Sequence, residues 1–375
     1  MTPNRQLALI RKLCGLGLPA QTLAPSLLPA LRTLIPAHSA AIFWVDAHFE
    51  MTSLYAERLL PPEAMARYYE DHYKDTVNGF RTAYAARVRA HDPVSAHKVT
   101  KAEQTSSYFR DVLAQLDAYQ ILYGILRDGP HPIGQISFYR GARDREFGRR
   151  DQDVLRGLLR YLAIGLRPQA TQPRAVRQAE IVEEWLGLVE TDGRIASAPA
   201  DWARLVRLLA MGDVAPRTAR EEQRVVADYL KRIVARFATA EPAALQHIDI
   251  RQDSPWGHFR LRGYRLPDIE GRPPSLVGLL IGRQEPLSLA LARGTGASDL
   301  SPQQREVAML LAEGRSNQEI ARSLDLTLNT ANYHVKQVFA RLHVHSRDEV
   351  ADVLLRLAHD AVIARGTGDG TRPPT

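Results

Sequence analysis

The chain has 375 residues, 45% hydrophobic and 24% charged, so at about 150 residues per domain it holds two or three folded domains, and this composition excludes collagen-like, wholly disordered and disulfide-scaffold classes. Its single cysteine, Cys14, can form neither an internal disulfide nor a cysteine-based zinc site and fits a reducing compartment. The formal charge is +7, yet Lys and Arg outnumber Asp and Glu by 22 to 16 over residues 1–170, by 18 to 17 over 171–299 and by 9 to 9 over 300–375, so net basicity singles out no nucleic-acid-binding domain.

Residues 13–31 carry no charge and follow Arg5, Arg11 and Lys12, an arrangement that signal peptides share. Pro19, Pro25 and Pro29 interrupt it, and it reads as short core helices, with no membrane-length run elsewhere. The expected location is cytoplasmic, with no membrane partner. Residues 40–45 and 49–55 then read as a strand pair. A clearer pair, 121–127 and 133–140, flanks Asp128, Gly129 and Pro130. Leu155, Leu158, Leu159, Leu162 and Leu166 recur at helical spacing, with Asp151 and Asp153 suited to the positive end of that helix. Two Pro/Gly-containing stretches, 168–173 and 293–299 (RGTGASD), read as linkers. Between them, 186–190 and 195–198 flank an Asp192-Gly193 turn. Helices follow at 202–210 and 221–237, then strands at 245–250, 257–266 and 275–281. No internal repeat is evident, and residues 366–375 should fray.

Residues 36–167 resemble a GAF domain, through the hairpin phrase PIGQISFYR and the amphipathic closing helix. Residues 180–283 resemble a PAS-related module, through LGLVETDGRI, WGHFRLRGYRL and SLVGLLIG. Ten of the thirteen tyrosines precede residue 170. Aromatic rings with polar tips suit ligand cavities, which makes Trp44, Tyr55, Tyr69, Tyr73, Tyr123 and Phe138 pocket candidates; plain core packing stays open as the alternative.

From Leu300 the pattern sharpens. Ser301 with Gln304, Ser316 with Glu319, and Ser346 with Glu349 each have the spacing of a reciprocal helix cap, and Thr327 supplies a fourth, simpler cap. Four short helices follow, with apolar faces at Val307, Leu310 and Leu311; Ile320, Ala321 and Leu324; Ala331, Val335, Val338 and Leu342; and Val350, Val353, Leu354 and Leu357. The short turn at Asp325 and Leu326 predicts a steep crossing of the second and third helices. The third helix, about 328–342, then projects Asn329, Asn332, Tyr333, Lys336 and Gln337, side chains suited to base edges and phosphates. Between Asp325 and Asp348 no acidic residue occurs, while Lys336, Arg341, Arg347 and three histidines do, a local field that attracts phosphate.

The stretch LSPQQREVAMLLAEGRSNQEIARSLDLTLNTANYHVKQVFARLHVHSR, from Leu300 to Arg347, resembles the LuxR-type DNA-binding domain. That resemblance implies base contacts near Asn332, Tyr333 and Lys336, phosphate contacts from Ser316, Asn317, Thr327 and Thr330, and pairing of two copies through the fourth helix at Val350, Val353, Leu354 and Leu357. Two departures stand out. Ala331 and Asn332 occupy positions where the family often has Val and Lys, which exchanges a long cation for a short, adenine-compatible amide. Gln303 and Gln304 stand where Arg and Glu are usual.

The sequence has no GxSxG elbow, no GxxxxGK[ST] loop and no HExxH. His91 with His97, and His343 with His345, read as solvent or core histidines, and the acidic set of a phosphorylated receiver domain is missing. No catalytic residue, metal or cofactor is expected. The expected architecture is multidomain: two α+β sensory domains (GAF-like at 1–170, PAS-like at 176–290), then an all-α four-helix helix-turn-helix domain at 298–363. The expected function is a sequence-specific DNA-binding transcription regulator. Its partners would be double-stranded DNA, a second copy of the chain, a small-molecule effector and RNA polymerase. The alternatives are a helix-turn-helix that binds protein rather than DNA, or front domains with enzymatic activity.

Overall fold

The computed structural model describes residues 3–58, 60, 64, 67–72, 82, 86, 93–168, 178–211, 219–238, 248–266 and 276–366. The chain divides into two compact units: Met1–Leu16, Gln172–Val182 and Gln284–Thr375 form one, and Gly17–Thr171 with Glu183–Arg283 form the other. Helix α1 (Pro3–Cys14) opens the chain and belongs to the first of these.

The second unit begins with α2 (Ala20–Arg32). Pro25 and Pro29 lie inside this helix rather than ending it, which corrects the reading of those prolines as breaks. They sit one turn apart, and most of the helix, from Leu23 to Leu31, is buried by packing that offsets the missing N–H groups. A five-stranded sheet follows: β1 (Ser39–Val45), β2 (Met51–Ala56), β3 (Val94–Lys98), β4 (Gln120–Asp128) and β5 (His131–Arg140), in the order β2-β1-β5-β4-β3. Helix α3 (Arg149–Gly165) covers one face. A Cβ at Gly124 of β4 would lie 2.8 Å from Leu159 and 3.1 Å from Leu155, so the leucine stripe seats on this bare backbone. Trp44 Nε1 donates to the Leu166 carbonyl just beyond the helix, at 2.8 Å.

A second five-stranded sheet comprises β6 (Gln178–Glu190), β7 (Ile195–Ser197), β8 (Ile248–Ser254), β9 (Gly257–Leu266) and β10 (Leu276–Pro286), in the order β7-β6-β10-β9-β8. Numbered from its own first strand, this is again 2-1-5-4-3, so the two sheets share one topology that no sequence repeat betrays. Helices α4 (Ala200–Ala210) and α5 (Ala219–Ala238) are inserted between β7 and β8. The Trp202 ring of α4 lies over Gly187, and the Phe237 ring of α5 over Gly263; a Cβ at either glycine would come within 2.5 Å of the ring. Trp202 Nε1 also donates to the Leu279 carbonyl at 2.8 Å.

The two sheets are joined within this unit around Trp256, which is 1% exposed in the β8–β9 hairpin. Its ring stacks on Tyr55 at 5.7 Å and meets Trp44 edge-on at 6.2 Å. Thr22 of α2 donates to the Pro255 carbonyl at 3.2 Å. A charged cluster lies beside these rings. Arg204 donates to Glu183 at 2.6 Å and to the Tyr55 hydroxyl at 3.3 Å, and Arg283 donates to Glu183 at 2.5 Å. Burial by itself would raise the Glu183 carboxyl, but the guanidiniums of Arg283 and Arg204 outweigh it and hold the group down at about 2.

In the other unit β10 leads directly into α6 (Leu287–Ala297), followed by α7 (Pro302–Ala312), α8 (Asn317–Ser323), α9 (Leu328–Leu342) and α10 (Arg347–Gly366). Residues 293–297, read from sequence as part of a linker, are helical, and Arg293, Gly294, Thr295 and Gly296 are buried. The physical reason is close packing: a Cβ at Gly294 would fall 2.0 Å from the Leu354 carbonyl oxygen of α10, and one at Gly296 3.1 Å from Leu9 of α1. Arg293 is paired inside the unit with Glu285. Arg5 and Lys12 of α1 reach Asp299 and Glu306, the first at 3.0 Å. The chain's first helix thus packs on α6 and reaches α7.

The other expected linker lies outside the described residues beyond Pro168, as do the tail after Gly366 and parts of the strands expected at 245–250 and 275–281. Among the described residues no helix is long and apolar enough to cross a membrane.

Candidate nucleic-acid interface

Helices α7 to α10 start where their caps put them. Ser301 N–H donates to Gln304 at 2.9 Å and Ser316 N–H to Glu319 at 2.8 Å, while Ser301 and Ser316 hydroxyls accept from the Gln304 and Glu319 backbones. Thr327 accepts from Thr330 N–H at 3.1 Å. The fourth cap differs in detail: the Glu349 carboxylate takes the His345 N–H at 3.0 Å and the Ser346 hydroxyl at 2.8 Å, not the Ser346 N–H. Asp325 enters the left-handed region, φ 52°, in the turn that separates α8 from α9, a conformation that Asp tolerates better than most residues.

On α9, Ala331, Val335 and Val338 are buried against the domain, which turns the opposite side outward. Asn329, Tyr333 and Lys336 are exposed, at the i, i+4, i+7 spacing of one face. Tyr333 is 58% exposed. Asn332 and Gln337 are half-buried at the edge of that face, as is Thr330 in the first turn. Leu328, which sequence reasoning passed over, is 43% exposed at the tip of the helix; it continues the buried 331-335-338 stripe, so its period pointed inward and only its terminal position exposes it.

The structure brings Asn317 and Asn332, fifteen residues apart, into contact: Asn317 Nδ2 donates to Asn332 Oδ1 at 2.6 Å. Arg347, at the start of α10, donates Nη2 to Asn317 Oδ1 at 2.5 Å and Nη1 to the Arg315 carbonyl. Nothing local in the sequence ties Arg347 to Asn317, thirty residues earlier. The Thr327 and Thr330 hydroxyls bond one another at 2.8 Å, and Ser316 serves its cap.

The fourth helix is partly used up inside the chain. Val350, Leu354 and Ala358 are buried, Val350 and Leu354 completely, with α6 lying along the Leu354 backbone. Of the four pairing candidates on this helix, Val350 and Leu354 are thus buried within the chain, and Val353 and Leu357 are half-exposed.

Four of the six pocket candidates lie among the described residues, divided between the two faces of the first sheet. Strand pairing of Ala40 with Phe138 and of Ile42 with Tyr55 puts Trp44, Tyr55 and Phe138 on one face of the first sheet. All three are buried there, Phe138 completely. Tyr123 pairs with Ser137 and lies on the opposite face, half-buried. The Tyr69 side chain and all of Tyr73 fall outside the described residues. The partner sequence reasoning missed is Trp256, distant in sequence and brought to Trp44 and Tyr55 by the fold. Among the described residues no grouping of His, Cys, Asp or Glu could hold a metal ion.

A capped four-helix domain whose third helix turns a polar, acid-free face to solvent is a helix-turn-helix domain. Residues 298–354 match the family of bacterial regulatory proteins named for luxR, and this segment of the chain is a domain of that family. The two-component response regulator PprB of Pseudomonas aeruginosa is 38% identical over 69 residues, 18% of this chain and 24% of that protein. The nitrate/nitrite response regulator NarL of Escherichia coli is 39% identical over 67 residues, 17% of this chain and 31% of that protein. The chain thus spans between 24% and 31% of the length of these curated relatives. A Vibrio cholerae VqmA–ligand–DNA complex is 16% identical across 48% of this chain and 85% of that one, with a TM-score of 0.23, too slight a likeness to bear on the fold.

Proposed function

We propose that the chain is a sequence-specific DNA-binding transcription regulator, with α9 entering the major groove. One observation carries this reading: within a luxR-family domain, Asn329, Asn332, Tyr333 and Lys336 line the outward side of a rigidly capped helix whose other side is buried. Amides, a phenol and one cation supply what base edges and phosphates accept, and no carboxylate on that helix repels the backbone. The names of the relatives, response regulators in two bacteria, agree with this reading.

Two copies would bind a two-part site, with half-sites about 10 bp apart if they follow other helix-turn-helix dimers. The half-exposed Val353 and Leu357 of α10 are the part of the fourth helix left for pairing. In this reading the two sheet domains, GAF-like and then PAS-like, form the regulatory half, and their shared strand order supports treating them as related modules. The test is to sequence the genomic fragments the full chain retains, then to footprint one of them with the double variant Lys336→Ala, Asn332→Ala. Specific binding should weaken by about 1 to 3 kcal/mol per base contact. An unchanged footprint would overturn the assignment of the groove-facing side.

A further inference from the structure

We propose that Arg347 and Asn317 are positioning residues that fix the amide of Asn332 with its NH2 group outward, making Asn332 a reader of guanine. This rests on the DNA-binding reading and specifies what that surface selects. The guanidinium of Arg347 can only donate hydrogen bonds. Because its Nη2 points at Asn317, the atom it meets there is the acceptor, Oδ1. That settles the second amide. The Asn317 NH2 faces Asn332 and needs an acceptor in turn, so Asn332 presents Oδ1 to it at 2.6 Å. Turning either amide over would oppose donor to donor or acceptor to acceptor. Arg347 is itself anchored through Nη1 on the Arg315 carbonyl, which leaves little freedom for the chain of bonds to rearrange.

What remains for DNA is the Nδ2 group of Asn332, which makes no hydrogen bond within the described residues and sits on the half-buried edge of the exposed face of α9. A donor selects acceptors. In the major groove guanine offers two, N7 and O6, with no donor beside them, whereas cytosine offers an amine. An unrestrained asparagine would suit adenine by donating to N7 while accepting from N6; here one lone pair of Oδ1 is already taken by Asn317. The same residue that looked adenine-compatible in the sequence is biased to guanine by its neighbours.

Binding-site selection from random duplex DNA tests this on the full chain, comparing wild type with Asn332→Ala, Asn317→Ala and Asn317→Asp. Wild type should enrich a motif with one position that prefers guanine over cytosine by about ten-fold, and Asn332→Ala should lose that preference. Asn317→Ala frees the amide and should reduce the preference to about three-fold or less while enrichment at the other positions of the motif, which reports an intact domain, persists. Asn317→Asp accepts from both Arg347 and Asn332, turns the Asn332 carbonyl oxygen to the groove and should switch the position to a base bearing an amine, cytosine or adenine. Retention of the guanine preference by Asn317→Asp or by Asn332→Ala would overturn the relay while leaving DNA binding intact. A wild-type chain that enriches no motif would overturn the DNA-binding reading and the relay with it.

Discussion

At the scale of single residues, Glu183 is held between Arg283 and Arg204 beside the buried rings of Tyr55 and Trp256. Removing one member of a buried charged cluster leaves the others uncompensated. Glu183→Ala should therefore destabilise this unit by about 3 to 5 kcal/mol at neutral pH. The pH dependence has a definite sign. The folded carboxyl lies near 2, below its ordinary value of 4.5, so its contribution is complete above the ordinary value and is lost as the pH falls from there toward 2. Urea unfolding at pH 7 and pH 3 should show the gap between wild type and Glu183→Gln narrowing in acid; an equal gap at both would contradict the assignment. The sequence could not reveal this cluster, because 183, 204 and 283 lie on three different elements.

At the scale of elements, two glycines in helices have opposite roles. Gly157, on the exposed side of α3, has nothing within 4 Å of the place a Cβ would occupy. Gly294, in α6, would put its Cβ into the backbone of α10. Gly157→Ala should therefore stabilise by up to about 1 kcal/mol through helix propensity. Gly294→Ala should destabilise its unit by about 1 to 3 kcal/mol through overpacking. Denaturant melts of the two variants decide the matter, and a neutral Gly294→Ala would mean that α6 and α10 do not approach as closely as described. This contact is why a linker-like composition is helical here. RGTGASD has the composition of a linker, but its small residues serve helix-to-helix proximity, and α6 has no polar face to give a 3.6-residue period because it is buried nearly all round.

At the scale of the whole molecule, the formal charge of +7 is spread over the chain and does not mark the proposed DNA-facing surface; the geometry of α9 does. Removing a cation from that face should lower the slope of log affinity against log salt by about one, whereas removing an exposed cation outside the helix-turn-helix domain should not. Duplex titrations at several salt concentrations with Lys336→Ala and Arg149→Ala supply the comparison. Equal slopes for the two variants would separate Lys336 from the interface. The same scale shows how the chain is assembled. Helix α1 joins the C-terminal helices through Leu9, Arg5 and Lys12, so the two ends of the polypeptide build one unit and the two sheets another.

The helices of the luxR-family domain, their caps and the outward side of α9 are legible in the sequence, because capping and amphipathic period are local properties written within a few residues of where they act. It also placed most of the strands, through alternation and turn chemistry. What no local pattern supplied is that the two sheets share an order, that Trp256 completes the Trp44 and Tyr55 cluster, that α6 packs on α10 at Leu354, and that Arg347 and Asn317 orient Asn332. Each of these joins residues far apart along the chain, and their partners are set by packing and by the matching of donors to acceptors across space, which no local pattern records.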